Sequence, residues 1–176
     1  MSGAEPARDP VIALVVAMGD NGAIGKEGDL PWRSLSSDLR HFRRTTLGKP
    51  VIMGRRTFAS LGRVLDQRVN IILSRDPHFT VPGAIVANSL ADALDAARRA
   101  AEEGCVDEIM VIGGEDVFRE TLPLAGRIYL TEVHAEPDAD VWFPDWDSND
   151  WREVSRERHE AGPKDEHPFS FVLLER

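Results

Sequence analysis

Apolar runs bounded by turn-forming residues recur along the chain: VIALVVAM (11–18), PVIMG (50–54), VNIILS (69–74), AIVA (84–87), EIMVIGG (108–114) and RIYLTEV (127–133). Continuous runs, unlike alternating ones, predict strands covered on both faces, as in a mostly parallel sheet. Helical periodicity lies between them. Residues 36–46 set Leu35, Leu39, Phe42 and Thr46 on one stripe, and residues 90–103 set Leu90, Leu94 and Ala97 in register, with Gly104 placed to end that helix. Strands alternating with helices predict an α/β fold with helices on both faces of the sheet. The last third departs from this rhythm. Residues 150–160 and 169–175 read as two strands joined by the polar segment AGPKDEHP, a long hairpin at a sheet edge.

No repeat or low-complexity linker divides the chain, so residues 11–176 are expected to form one domain after a polar tail, MSGAEPARDP, over residues 1–10. The apolar run at 11–18 is far too short to span a bilayer. A net charge of −9 argues against non-specific binding to nucleic acid or an anionic membrane, although a local basic pocket remains compatible with it. The single cysteine, Cys105, allows neither an internal disulfide nor a cysteine zinc site and suits a reducing, cytoplasmic setting. No His/Cys metal spacing and no Ser-His-Asp ordering stands out, and the five histidines are scattered.

Several segments carry candidate chemistry, each with a plainer alternative. NGAIGKEGDLPW (21–32) follows a strand and reads either as a glycine-rich loop able to close over a ligand or as a surface connection whose Leu30 and Trp32 reach back to the core. Asp38, in the first turns of the next helix, either complements the helix N-terminus or faces a cleft and grips a cationic or amidine-like edge. VIMGRRTF (51–58) and NIILSR (70–75) each run from a strand into arginines. Arg55, Arg56 and Arg75 are either solvated surface charges or a joint site for a 2′-phosphate. IMVIGGEDVF (109–118) joins a buried strand to a helix through paired glycines, which let a backbone approach a pyrophosphate or simply make a tight turn. Thr131, in YLTEV (129–133), is either a β-former or a functional hydroxyl.

In their order, these segments resemble the bacterial dihydrofolate reductases over residues 11–175, including the late VWFPDW (141–146) and the closing FVLLER (171–176). The resemblance implies an α/β fold with an eight-stranded, mostly parallel sheet, an antiparallel C-terminal hairpin and four flanking helices. It implies NADPH-dependent reduction of 7,8-dihydrofolate to 5,6,7,8-tetrahydrofolate, an antifolate target feeding one-carbon metabolism, in a cytoplasmic monomer without nucleic-acid or membrane partners. By the resemblance, Asp38 pairs with the pterin ring nitrogen and 2-amino group, and the Thr131 hydroxyl supports it. Val15, Val16, Leu39, Phe42, Leu61 and Leu65 line the pterin and benzoyl walls, and Arg68 clamps the glutamate α-carboxylate. Leu30 is the lid, and Trp32 a water-holding indole. Ala17, Ile24 and Gly25 match nicotinamide-side contacts. Arg55, Arg56, Thr57, Leu73, Ser74 and Arg75 match the adenosine-phosphate side. Ile112, Gly113, Gly114, Glu115, Asp116, Val117 and Phe118 match the pyrophosphate turn, with a cis peptide expected between the two glycines.

In this picture hydride passes between stacked rings, and water supplies the proton to the neighbouring ring nitrogen while the Asp38 charge raises the basicity of the pterin. Alternatives are a same-fold reductase of a riboflavin-pathway pyrimidine and a non-catalytic pterin-binding module. The chain departs from the family pattern at Leu30, where methionine is common, and at Phe118, where a tyrosine hydroxyl is lost. Glu115 brings a carboxylate beside a pyrophosphate, Asp66-Gln67 replaces a Pro-Gly turn next to Arg68, and the segment RSLSS before Asp38 carries an extra residue.

Overall fold

The computed structural model describes residues 9–176, so all but the last two positions of the expected tail over residues 1–10 lie outside the described residues. The elements in chain order are β1 (Val11–Gly19), β2 (Ala23–Gly25), α1 (Ser36–Thr46), β3 (Val51–Gly54), α2 (Arg55–Leu61), β4 (Asn70–Leu73), β5 (Ile85–Ala87), α3 (Leu90–Glu103), β6 (Glu108–Val111), α4 (Glu115–Thr121), β7 (Arg127–Val133), β8 (Val141–Trp142), β9 (Arg152–His159) and β10 (Phe169–Glu175). Eight strands form one sheet in the order β5-β4-β3-β6-β1-β7-β10-β9, with β2 and β8 paired separately. The pairs from β5 to β7 are parallel, and β10 runs antiparallel to both of its neighbours.

Right-handed crossovers determine where the helices go. From β1 the chain steps outward through α1 to β3, through α2 to β4 and on to the edge strand β5, then returns through α3 to β6 and through α4 to β7. Opposite stepping directions put α1 and α2 on one face and α3 and α4 on the other. The packing agrees: Ala93, Leu94, Ala97, Val117 and Phe118 join Ile12, Leu14, Ile52 and Ile109 in one core, while Phe42 and Phe58 pack on Ala13, Val51, Met53 and Met110 in the other.

Some expectations need correction. The stripe on α1 is not uniformly buried, because Leu39 is 58% exposed while Leu35 and Thr46 are buried. AIVA is not covered on both faces, because β5 is an edge strand and Ile85 is exposed. Gly104 caps α3 with right-handed geometry, and Cys105 supplies the left-handed residue at φ 54°. The penultimate strand begins at Arg152 after a 3₁₀ turn over Ser148–Asp150. The short β2–β8 pair has no apolar run to announce it. The peptide between Gly113 and Gly114 is cis, as expected.

Candidate active site

The C-terminal ends of the parallel strands share one edge of the sheet, the usual place for a ligand in open α/β sheets. Asp38 approaches it from the first turn of α1, and Thr131 from β7. The Thr131 hydroxyl donates to Asp38 Oδ1 at 2.6 Å, joining residues 93 apart in sequence. Burial pushes the Asp38 carboxyl up to about 6, against the Thr131 hydroxyl, which stabilises its ionised form, and with the negative charge of Asp165, which raises it further. Nearby, Trp32 is buried with Leu35 and Val133, yet its indole Nε1 has no hydrogen-bond partner. A buried N–H left unpaired is costly, so this donor marks a place for a polar ligand atom or water.

Strand parity sorts the expected apolar walls. Ala17 is in register with Thr131 and Val15 with Tyr129, so these side chains share the face on which Asp38 sits. Val16 is the exception: its side chain points to the opposite core with Leu14 and Met18, leaving only its backbone for the cleft. Leu39 and Leu61 are exposed apolar residues, Phe42 is half-buried, and Leu65 is buried in the core beneath them. An exposed leucine next to a half-buried carboxyl is unusual for a core-facing stripe and suits a wall awaiting an apolar ligand.

Arg68 is held from three sides. Its Nε donates to the Asp66 carbonyl (2.9 Å), Nη1 to Thr46 Oγ1 (3.0 Å) and Nη2 to Asp66 Oδ1 (3.3 Å), and its side chain is 3% exposed. Burial lowers the affinity of the guanidinium for its proton, and Asp66 counters that. Asp66 is also gripped by both Nη atoms of Arg43, at 2.7 and 3.0 Å, a bidentate pair that holds its carboxyl far below the usual range. Gln67 takes φ 56°, a left-handed conformation that glycine adopts more easily. A protein carboxylate therefore already engages both the expected tail clamp, Arg68, and its neighbour Arg43.

On the other flank, β3 and β6 are neighbours, so the starts of α2 and α4 lie together. Gly54 N donates to Gly113 O at 2.8 Å. A Cβ on Gly113, at φ +120°, would stand 3.2 Å from the Phe118 ring, and one on Gly114 would stand 3.5 Å from Thr57 Oγ1. The turn thus forms a side-chain-free cradle between Thr57 and Phe118, backed by half-buried Ile112. Phe118 is buried, and Val117 packs against Gly54, so the side chain of Val117 is core and only its backbone faces the turn. Glu115 turns outward to pair with Arg119, which also takes Asp116 at 2.9 Å. This removes the expected repulsion from the cradle. Arg55, Arg56 and Arg75 are exposed around buried Ser74 and half-buried Leu73. The Arg55 guanidinium lies over the Phe79 ring at 4.2 Å, with Asp76 3.8 Å away.

The loop over residues 20–34 is tied on both sides. Glu27 N donates to Asp140 Oδ2 (2.9 Å), Asp140 N to Gly25 O (3.0 Å), and Asn21 Nδ2 to Pro137 O (2.9 Å). From the hairpin, Glu166 Oε2 accepts from Arg33 N at 2.6 Å. Leu30 stays 42% exposed at the rim, and half-buried Ile24 and Gly25 lie on β2 against β8. Sequence reasoning missed Asp140, Asp165 and Glu166, whose partners lie more than 100 residues away. It also missed that His134 Nε2 meets Ser170 Oγ at 2.8 Å with Asp20 3.8 Å from Nδ1. Ser170 is 2% exposed within β10, so this trio ties loops together and offers no nucleophile.

Comparison with known proteins follows the same lines. The family model described as dihydrofolate reductase matches residues 11–176. A type 3 dihydrofolate reductase of Salmonella typhimurium is 45% identical over 94% of this chain and 98% of its own length. Dihydrofolate reductases of Haemophilus influenzae and Bacillus subtilis are 40% and 37% identical, covering 93% and 94% of this chain and 98% and 95% of theirs. Among solved structures, the Enterococcus faecalis dihydrofolate reductase complexed with NADP(H) and RAB-propyl superposes with a TM-score of 0.84 at 30% identity, over 94% of this chain and 96% of that one.

Proposed function

The chain belongs to the dihydrofolate reductase family, and on that premise we propose that it reduces 7,8-dihydrofolate to 5,6,7,8-tetrahydrofolate with NADPH, using Asp38 as the carboxylate that binds and activates the pteridine. The observation that carries this reading is the Thr131–Asp38 hydrogen bond at the cleft, with the carboxyl raised to about 6. Ionised, Asp38 accepts from a ring N–H and a 2-amino group together, a charge-assisted pair that fixes the plane of the ring. Its charge also favours a proton on the pteridine. Asp38 lies too far round the ring to deliver that proton itself, so water does so, held by the unpartnered Nε1 of Trp32 under the Leu30 lid. Val15, Leu39, Phe42, Leu61 and Leu65 enclose the ring and linker, joined by the backbone of Val16. Arg68 takes the tail carboxylate with the N–H groups that Thr46 and Asp66 leave free.

The residues of the glycine turn fit the cofactor, because the Gly113–Gly114 cradle has no side chain where a pyrophosphate must come close. When bound, NADPH supplies the hydride. Ala17, Ile24 and Gly25 would meet its nicotinamide side. Thr57, Ile112, Gly113, Gly114 and the backbone of residues 115–118 would hold the pyrophosphate. Arg55, Arg56, Leu73, Ser74 and Arg75 would hold the adenosine end and select for a 2′-phosphate. Phe118 lends bulk and no hydroxyl.

We place the protein in the cytoplasm as a monomer with one functional domain over residues 11–176 and with neither nucleic-acid nor membrane partners. Among the described residues no helix is long and apolar enough to cross a membrane. The test is consumption of NADPH on addition of dihydrofolate. Stoichiometric formation of tetrahydrofolate supports the reading. Binding without turnover would point to a pterin-binding module, and turnover only with a ribose-phosphate pyrimidine would point to the riboflavin-type reductase.

A further inference from the structure

Helix α1 begins without a cap of its own. Its N-cap residue, Leu35, has no side-chain acceptor for the free N–H groups of the first turn. The acceptor comes from the loop between β9 and β10. Asp165 Oδ1 accepts from Ser37 N at 2.9 Å and Oδ2 from Ser37 Oγ at 2.7 Å, across 128 residues of chain. The loop is fastened there by a β-bridge between Leu35 and Asp165, by Ser36 N donating to Lys164 O (3.3 Å) and by Glu166 N donating to Ser34 O (2.8 Å). Gly162 N gives Asp165 a further donor at 3.2 Å. Burial opposes the Asp165 charge, but its Ser37 and Gly162 donors and nearby Arg40 outweigh burial and keep the carboxyl ionised below its ordinary value.

We propose that Asp165 is a positioning residue for Asp38: by capping the first turn of the helix that carries it, through both polar groups of the preceding Ser37, the hairpin loop fixes the substrate-binding carboxyl in place and brings a negative charge to its end of the helix. The proposal rests on the role given to Asp38 above. Ser37, which takes both Asp165 oxygens, is the residue immediately before Asp38. The Thr131 hydroxyl from β7 bonds Asp38 directly, while Asp165, held one residue away on Ser37, acts on it through charge. Arg40 on α1, which donates to Ser37 Oγ at 3.2 Å, Arg33 just before the helix, and Lys164 and Glu166 on the loop are the other charged groups at this junction. A like charge raises the proton affinity of a neighbouring carboxyl, and Asp165 acts on Asp38 in that direction.

Asp165→Asn separates charge from cap. The carboxamide oxygen still accepts from Ser37 N, and the amide can donate to a turned Ser37 hydroxyl, but the charge is gone. The Asp38 titration, followed by carbon NMR of the carboxyl, is expected to drop by roughly 0.3–0.5 pH unit. Losing that negative charge should also lower the proton affinity of the bound pteridine, so the rate of hydride transfer falls about two- to threefold at pH above the midpoint of its profile, with NADPH affinity unchanged. Asp165→Ala, which also removes the cap, is expected to add a several-fold rise in KM for dihydrofolate. An unmoved Asp38 titration in Asp165→Asn overturns the proposal even if the variant melts earlier, because a purely structural cap alters melting without altering the titration. If Asp165→Ala fails to fold, Asp165→Asn still decides. Retained turnover in Asp38→Asn would instead sink the underlying role of Asp38, a separate result.

Discussion

The hydroxyl of Thr131 and the carboxylate of Asp38 meet at 2.6 Å at the edge of the sheet, one from a strand buried in its middle and the other from the first turn of a helix. The hydroxyl stabilises the ionised carboxylate and so opposes the effect of burial. Thr131→Val removes that donor while conserving shape. The Asp38 titration is expected to rise from about 6 by roughly half a pH unit to one unit, opposite in sign to Asp165→Asn. Dihydrofolate binding should weaken about tenfold, the cost of losing one hydrogen bond to a charged group. Carbon NMR and substrate titration check the two halves separately.

The same carboxyl costs the fold stability. Its proton affinity is higher folded than unfolded, so the folded chain holds more protons between pH 3.8 and about 6, and stability from this group falls as pH rises through that window. Above it the penalty is complete, on the order of 2–3 kcal/mol. Asp38→Asn is therefore expected to melt at a higher temperature than the parent near pH 7.5, and the gain should shrink toward pH 4. Paired melts at the two pH values check this.

Asp66 already fills Arg43 and leans on Arg68, so a substrate tail must share those cations with it. Asp66→Asn is expected to lower KM for dihydrofolate about two- to fivefold, the modest scale of an exposed ion pair. A dihydropterin without the glutamate tail should show no change. Steady-state kinetics with the two substrates tests this, and an equal effect on both would place Asp66 outside tail recognition.

Arg75 is exposed next to buried Ser74 at the end of β4. Arg75→Ala should weaken NADPH by roughly tenfold, the scale of a lost charge-assisted contact, and leave NADH nearly unaffected. Comparing the two cofactors isolates the 2′-phosphate.

Strands β1, β3, β4 and β6 were legible in the sequence because burial on both faces writes continuous apolar runs, and the Asp38 helix because its period survives even where Leu39 is exposed. The glycine turn was legible because only glycine leaves a cradle beside Phe118. The face of Val16 was harder to see, since a run apolar at every position hides its own parity until the register with β7 is fixed. The partnership of Asp165 with Ser37, and that of Asp66 with Arg43, left no local trace. A carboxylate in a polar loop reads as solvated until the fold brings it to its partner. Neither β2 nor β8 is long enough to carry a pattern.

Single-turnover hydride transfer in Asp38→Asn, preloaded with NADPH and mixed with dihydrofolate at neutral pH, tests the central claim most directly. The account predicts a rate constant lower by about 10²–10³-fold with NADPH still bound tightly. Transfer at a rate close to that of the parent would mean that Asp38 does not activate the pteridine.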